Sequence, residues 1–468
     1  MGILAAFALP HPPLIIPEVG RGSEKRVQKT IDSCAEVGRR IAKLRPETVV
    51  ISSPHSVMYS DYIHISPGRH ASGSFANYGA PEARYEAHYD MKLVQRICDL
   101  ADDAYLAAGT EGERDPSLDH GTMIAIHAIE DLGGYHSFQV VRMGISGLSP
   151  AEHYRLGMIV AQAAEELHRR VVYVASGDLS HKLQPDGPYG FAEEGPIFDE
   201  KVCDAFSTGN FLELLTMDPS LCERAAECGL RSFQIMAGAL DRTPVKAELL
   251  SHEDVTGVGY GVACFTPTGK PGSAPERNFL DQYEQWHKRD MAQRRNEEDP
   301  YVRLARTALE TWVTDNRRIN PGSDLPEELL TTRAGCFVSI KKNGQLRGCI
   351  GTIQPTRANL ASEICSNAIS AGTRDPRFLM VVPSDLPELV YDVDVLSTPE
   401  PISSIAELDP KRYGVIVSCA DGRRGLLLPD LDGVDTVDEQ VSIAARKGGI
   451  DLRSDDYTLE RFEVVRHT

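Results

Sequence analysis

The run Val171-Val-Tyr-Val-Ala-Ser-Gly-Asp-Leu-Ser-His181 restricts the fold more than any other stretch of the chain. Its β-branched and aromatic residues make an apolar segment of strand length, and Gly177 and Asp178 stop it. A segment of this kind is a buried strand of an α/β sheet, and such sheets carry their chemistry beyond the carboxyl ends of the strands. His181 therefore holds a functional position before any other residue is considered.

The same pattern occurs twice more. Residues 3–9 are a first strand that ends at Pro10-His11-Pro12-Pro13, where the flanking prolines deny His11 a helix and keep the backbone extended. An amphipathic helix is expected over 24–44, and Glu47-Thr-Val-Val-Ile-Ser-Ser is a second strand ending at Pro54-His55-Ser56. Asp115-Pro-Ser-Leu-Asp-His-Gly-Thr-Met123 is a polar turn into a helical stretch over 123–129. It sets His120 at a helix entry, where free backbone N–H groups can meet an anion. A strand over 138–145 and a helix over 151–169 lead into the Val171 strand. Helices follow over 196–216 and 219–240. The second carries Glu227 at what reads as a helix start, a place the helix dipole favours for any carboxylate. A glycine-punctuated strand over 257–266 closes the segment; it is no dinucleotide fingerprint, because no βαβ unit follows. Strands alternating with helices predict an α/β domain with a largely parallel central sheet.

A chain of 468 residues exceeds one core, and the composition changes at Pro267-Thr-Gly-Lys-Pro-Gly-Ser-Ala-Pro. The expected division is a first domain over 1–268, a linker over 269–299 with a charged, helical part from 284, and an α+β domain over 300–468. The last begins with a helix over 302–316. Asn343-Gly344 then marks a hairpin between strand-like runs, strands follow at 388–396 and 413–419, and Asp421-Gly422 marks a second hairpin. The formal charge of -19 argues against nucleic acid and anionic membranes as general partners. No apolar run has transmembrane length, and the amino terminus reads as a strand rather than a signal peptide. Ten cysteines without a C-x-x-C pair fit reduced thiols in a cytoplasm.

Two imidazoles and one carboxylate, leaving half of an octahedral metal open, suit non-haem Fe(II) with dioxygen or a chelating substrate. His11 and His55 with a carboxylate from a later helix supply that set, and His181 is then free for acid/base work. At Pro-His11-Pro-Pro, Pro-His55-Ser, Leu-Asp-His120-Gly-Thr, Ser-Gly-Asp-Leu-Ser-His181 and Glu227-Cys228-Gly229, residues 1–268 resemble the class III extradiol dioxygenases and equally the Memo family. The resemblance implies His11, His55 and Glu227 as metal ligands, with Cys228 the alternative to Glu227 in the Memo pattern. It implies His181 as the base that deprotonates a catechol, and His120 as an assistant near substrate or oxygen. Fe(II) is the implied metal; a thiolate ligand would shift the choice toward softer ions such as zinc.

Residues 295–468 resemble the AMMECR-one family through Leu346-Arg-Gly-Cys-Ile-Gly351, Arg374-Asp-Pro-Arg-Phe378 and Gly422-Arg-Arg-Gly-Leu-Leu-Leu-Pro429. Cys349, beside Arg347, is a candidate nucleophile with a lowered thiol pKa, or else a packed strand cysteine. The fusion implies a small aromatic substrate and O2 for an extradiol dioxygenase. The alternative is a metal-binding, non-oxygenase component working with a radical S-adenosylmethionine protein on a shared substrate. Homo-oligomerisation is compatible with either.

Overall fold

The computed structural model describes residues 2–431 and 433–468. They divide into two compact units, one ending at Lys288 and the other starting at Arg289. The first contains strands β1 (Gly2–Leu9), β2 (Thr48–Ser52), β3 (Ile63–His64), β4 (His70–Phe75), β5 (Ala80–His88), β6 (Ala108–Gly109), β7 (Gln139–Met143), β8 (Arg170–Ser176), β9 (Val245–Glu253) and β10 (Tyr260–Pro267). Six of these form the central sheet in the order β7-β2-β8-β1-β10-β9. The first four are parallel; β10 runs antiparallel to β1, and β9 antiparallel to β10. This is the expected α/β architecture.

The inner strands β1, β2 and β8 are buried on both faces, because they are apolar at nearly every position rather than at alternate ones. Ala6, Ala8, Tyr173 and Ala175 enter one core with the helices Pro150–Glu166 and Leu230–Ala239. Ala5, Phe7, Leu9, Val172 and Val174 enter the other with the helices Gln28–Leu44 and His120–Glu130. The register pairs Ser52 with Ala175 and Leu9 with Ser176, so the carboxyl ends of β2, β8 and β1 lie side by side. The loops carrying His55, His181 and His11 thus leave the sheet along one edge.

Several elements differ from the sequence reading. The helix expected over 196–216 ends at Thr208, where Gly209 takes φ 70°, and resumes as Leu212–Leu215. The helix expected over 219–240 is two, Pro219–Ala225 and Leu230–Ala239, parted where Ala226 adopts φ 52°. That break frees Glu227 and Cys228 from helical geometry. Within the segment expected as a linker with a helical part from 284, the helix starts earlier and runs from Phe279 to Glu297, and its Phe279, Leu280 and Tyr283 are buried in the first unit's core.

The second unit has β11 (Cys336–Lys342), β12 (Gln345–Gly351), β13 (Leu389–Leu396), β14 (Glu400–Ile402), β15 (Gly414–Cys419), β16 (Arg424–Leu427), β17 (Tyr457–Phe462) and β18 (Val464–His467). They make two four-stranded antiparallel sheets, β12-β11-β13-β18 and β14-β17-β15-β16. The helices Pro300–Asp315 and Leu360–Thr373 share a core with the first, and Val437–Lys447 shares one with the second. Asn343 and Gly344 both have positive φ, 53° and 76°, as the hairpin reading requires.

A chain truncated after residue 288 is expected to melt above one truncated after residue 268. The shorter chain loses three buried side chains, each worth about 1.5–3 kcal/mol. Equal midpoints in scanning calorimetry would show that the Phe279 helix is dispensable to the first unit.

Candidate metal centre

His11 follows β1 directly and is almost fully buried. Its backbone N–H donates to Asp178 Oδ1 at 2.8 Å, and its Nδ1 lies 3.0 Å from Ser176 Oγ. Ser176 gives its single proton to the Gly121 carbonyl at 3.0 Å. It can therefore only accept from His11, which fixes the proton on Nδ1 and leaves the lone pair on Nε2. That Nε2 lies 3.0 Å from His55 Nε2. The ligand atoms of His11, His55 and His120 all lie within 4.8 Å of one another.

Asp119 links the two outer histidines. As N-cap of His120–Glu130 it accepts from Thr122 N at 2.9 Å, and the same oxygen accepts from Ser53 Oγ at 2.6 Å, two residues before His55. Gly121 makes this closeness possible, since a Cβ there would stand 2.5 Å from Ser53 Oγ and 3.0 Å from Ser176 Oγ. Burial raises the cost of charging Asp119, but the Ser53 and Thr122 hydrogen bonds outweigh it and keep the carboxyl below its usual range.

Burial, and then the neighbouring imidazoles, push the histidines toward the neutral form. His55 falls to about 3 and His120 to about 4, both chiefly by burial with His11 adding to it, and burial also lowers His11. Three neutral imidazoles with converging nitrogens fit a divalent metal of borderline softness. Two nitrogens bound at about 2.1 Å and at right angles to each other lie about 3 Å apart, the separation of the two Nε2 atoms here.

Asp178 and His181 flank this group. Asp178 Oδ2 is 3.7 Å from His11 Nε2 and 3.9 Å from His181 Nε2. Burial opposes the imidazolium form of His181, but Asp178, the Ala226 backbone and Glu227 raise its pKa above the ordinary value. Cys228 Sγ lies 3.6 Å from His11 Nε2 and 3.3 Å from the Asp178 amide. Burial and the nearby carboxylates of Asp178 and Glu227 drive that thiol upward, so it keeps its proton.

The set brought together departs from the expected one. The Glu227 carboxylate is not among the converging atoms; its Oε2 accepts from Leu230 N at 2.7 Å and so serves the start of the next helix. His120, expected near substrate, takes the third place instead. The sequence reading missed Ser176 and Ser53, two strand-end serines, and used Asp178 only as the end of a strand.

The model for the catalytic LigB subunit of aromatic ring-opening dioxygenase matches residues 5–263. The chain belongs to this family. An AMMECR1 model matches residues 302–467. Across its whole length the chain is similar to a protein of Clostridium acetobutylicum, 40% identical over 485 residues, 100% of this chain and 99% of that one. A Thermotoga maritima protein is 53% identical over 171 residues, 36% of this chain and 98% of its own. Among solved structures, an uncharacterized Escherichia coli K12 protein aligns with TM-score 0.39 and 17% identity, covering 56% of this chain and 99% of its own. One from Pyrococcus horikoshii aligns with TM-score 0.33 and 29% identity, covering 36% of this chain and 88% of its own. The first unit is thus a dioxygenase-fold domain of the LigB family, with an AMMECR1 domain after it.

In the AMMECR1 domain Cys349 does not have the lowered thiol pKa expected of it. Burial raises it, against the opposing effects of the Ser339 hydroxyl, 3.3 Å from Sγ, and the Arg377 guanidinium. Arg347 turns away, to the Met380 carbonyl at 3.2 Å and Asp385 at 3.2 Å.

Replacing Asp119 by Ala should cost about 1–2 kcal/mol in urea unfolding. The folded carboxyl lies below its unfolded pKa, so its contribution is present above about pH 3.9 and is lost as pH falls through the folded value. The gap between wild type and variant should therefore close in acid; a gap independent of pH would contradict this account.

Proposed function

We propose that the LigB-family unit is a non-haem Fe(II) extradiol dioxygenase acting on a catechol-type aromatic substrate, in the cytoplasm. The observation that carries the reading is the convergence of three neutral imidazoles beside an Asp178–His181 pair. The unpaired state of all ten cysteines fits the compartment.

His11, His55 and His120 would hold the metal, with Ser176 orienting His11 through the Nδ1 proton. Bound there, Fe(II) would supply a Lewis acid that can take up a chelating diol and dioxygen. The rest of the work belongs to side chains. The His181 ring is 20% exposed and so open to substrate, while Asp178 stabilises its protonated form. It is therefore suited to take a catechol hydroxyl proton at Nε2 and to keep it. Asp178 also accepts from the His11 backbone, so one buried carboxylate fixes the acid/base residue relative to the ligand residue. No helix among the described residues is long and apolar enough to cross a membrane.

Cys228, 3.6 Å from His11 Nε2, favours a second reading. Deprotonated on metal binding, its thiolate would select a softer ion such as zinc. The chain would then be a non-oxygenase partner of a radical S-adenosylmethionine protein, sharing its substrate.

Protein reconstituted anaerobically with Fe(II) is expected to turn a panel of catechols yellow on admission of air. His11→Ala should lose the metal, whereas His181→Ala should keep it and lose about 10²–10⁴-fold in kcat. A full iron complement with no turnover on any catechol would reject the dioxygenase reading. Zinc that co-purifies and is lost on Cys228→Ser would favour the second.

A further inference from the structure

Two tyrosines pack against histidines of this site without helping to hold it. Tyr78 ends the single turn Ala76–Tyr78 at the tip of the β4–β5 hairpin, and its ring lies edge-on to His120 with centroids 5.5 Å apart. Tyr189 lies in the loop that follows β8 and His181, and its ring is tilted against His181 at 5.1 Å. One tyrosine therefore neighbours a metal-ligand candidate, and the other neighbours the acid/base candidate. The histidines they touch belong to one site, since Asp178 Oδ2 lies 3.7 Å from His11 and 3.9 Å from His181, and His11 converges with His120.

The backbones beneath them are held. Arg21 Nη2 donates to the Gly79 carbonyl at 2.9 Å, and Gly79 turns the hairpin with φ 78°. In the other loop Gly187 donates to Gln184 and Gly190 to Gly187, while Leu183 and Phe191 bridge across its base. The rings themselves are not covered: Tyr78 is 42% exposed and Tyr189 61% exposed. Aromatic rings with two side-chain torsions, presented from anchored turns, offer large contact area at little entropic cost to a flat ligand.

We propose that Tyr78 and Tyr189 are specificity-determining residues that grip the ring of a planar aromatic substrate from two sides while its oxygens face the histidine centre. The proposal rests on the metal-centre reading for where the oxygens go. It does not require that oxygen be inserted.

The test uses full-length protein loaded with zinc, which cannot turn over. Two ligands are titrated by calorimetry: 4-nitrocatechol, which has two chelating oxygens on a ring, and acetohydroxamate, which chelates through two oxygens and has no ring. Tyr78→Leu and Tyr189→Leu are each expected to weaken 4-nitrocatechol roughly 3- to 10-fold. Tyr78→Phe and Tyr189→Phe, which keep the ring, should stay within about twofold of wild type. Acetohydroxamate should bind all five proteins alike, with equal zinc content. The proposal is overturned if wild type does not bind 4-nitrocatechol or if the leucine variants bind it as wild type does. It is also overturned if they lose both ligands equally, which would report a disturbed centre. The expected binding pattern, together with no catechol turnover by the iron form, would reject the dioxygenase reading and leave the tyrosine grip standing.

Discussion

The site depends on Asp178, a buried carboxylate at the end of β8. Its Oδ1 takes the His11 amide proton, and its Oδ2 faces both His11 and His181. Its backbone N–H meets the Cys228 sulfur, and its carbonyl accepts from Gly229 N at 3.0 Å. Burying a charge is costly unless it is paired and hydrogen-bonded. Here burial opposes the charge, but the His11 backbone N–H and the His181 imidazolium outweigh it, and the carboxyl is held below its usual range. Segments far apart in sequence are thus tied to one residue: its carboxylate places the ligand His11 and the base His181, and its backbone N–H and carbonyl place the Cys228–Gly229 segment.

That hub works only because the backbones around it approach closely. A Cβ on Gly177 would stand 2.2 Å from the Gly229 Cα, so the strand-end loop and the break between the Pro219 and Leu230 helices touch back to back. Without that contact Cys228 would not reach His11. The left-handed Ala226 serves the same end: a continuous helix through 226–229 would turn its side chains by helical period rather than toward the strand ends.

Much of this was legible in the sequence. The near-continuous apolar runs at 3–9, 48–52 and 171–176 point to strands covered on both faces. Parallel order then puts their terminal histidines on one edge, as residue type and period alone require. The helix entry at Asp119-His120 was equally plain, because capping is local chemistry. Less legible was which group stands third. Glu227 and His120 both lie near helix starts, and only the tertiary hydrogen bonds tell them apart. Glu227 is engaged by the Leu230 amide, whereas His120 is drawn to His55 by Asp119 and Ser53. The helix break at Ala226 was hidden for a similar reason: Ala has high helix propensity, and long-range packing overrides it. Of the Phe279 helix the part from 284 was legible, whereas its start and its docking were not, although Phe279, Leu280 and Tyr283 carried the packing signal.

The motif Leu346-Arg-Gly-Cys-Ile-Gly351 shows how a specific sequence pattern can follow from structure without chemistry at its cysteine. It lies on β12, the outermost strand of its sheet, whose free edge would otherwise invite another strand. At Cys349 the outward amide donates to Asp375 Oδ2 at 2.9 Å, and the outward carbonyl accepts from Arg377 Nη2 at 3.2 Å. Asp375 and Arg377 are themselves paired at 2.7 Å, so an ion pair takes the place of a neighbouring strand. Gly348 lets the helix Leu360–Thr373 press against the strand, since a Cβ there would stand 2.3 Å from the Ala371 carbonyl. Arg347 holds the loop at Met380. The two sequence signatures at 346–351 and 374–378 are thus the two halves of one edge closure, and that role accounts for their residue types before any reactivity is assigned to the thiol.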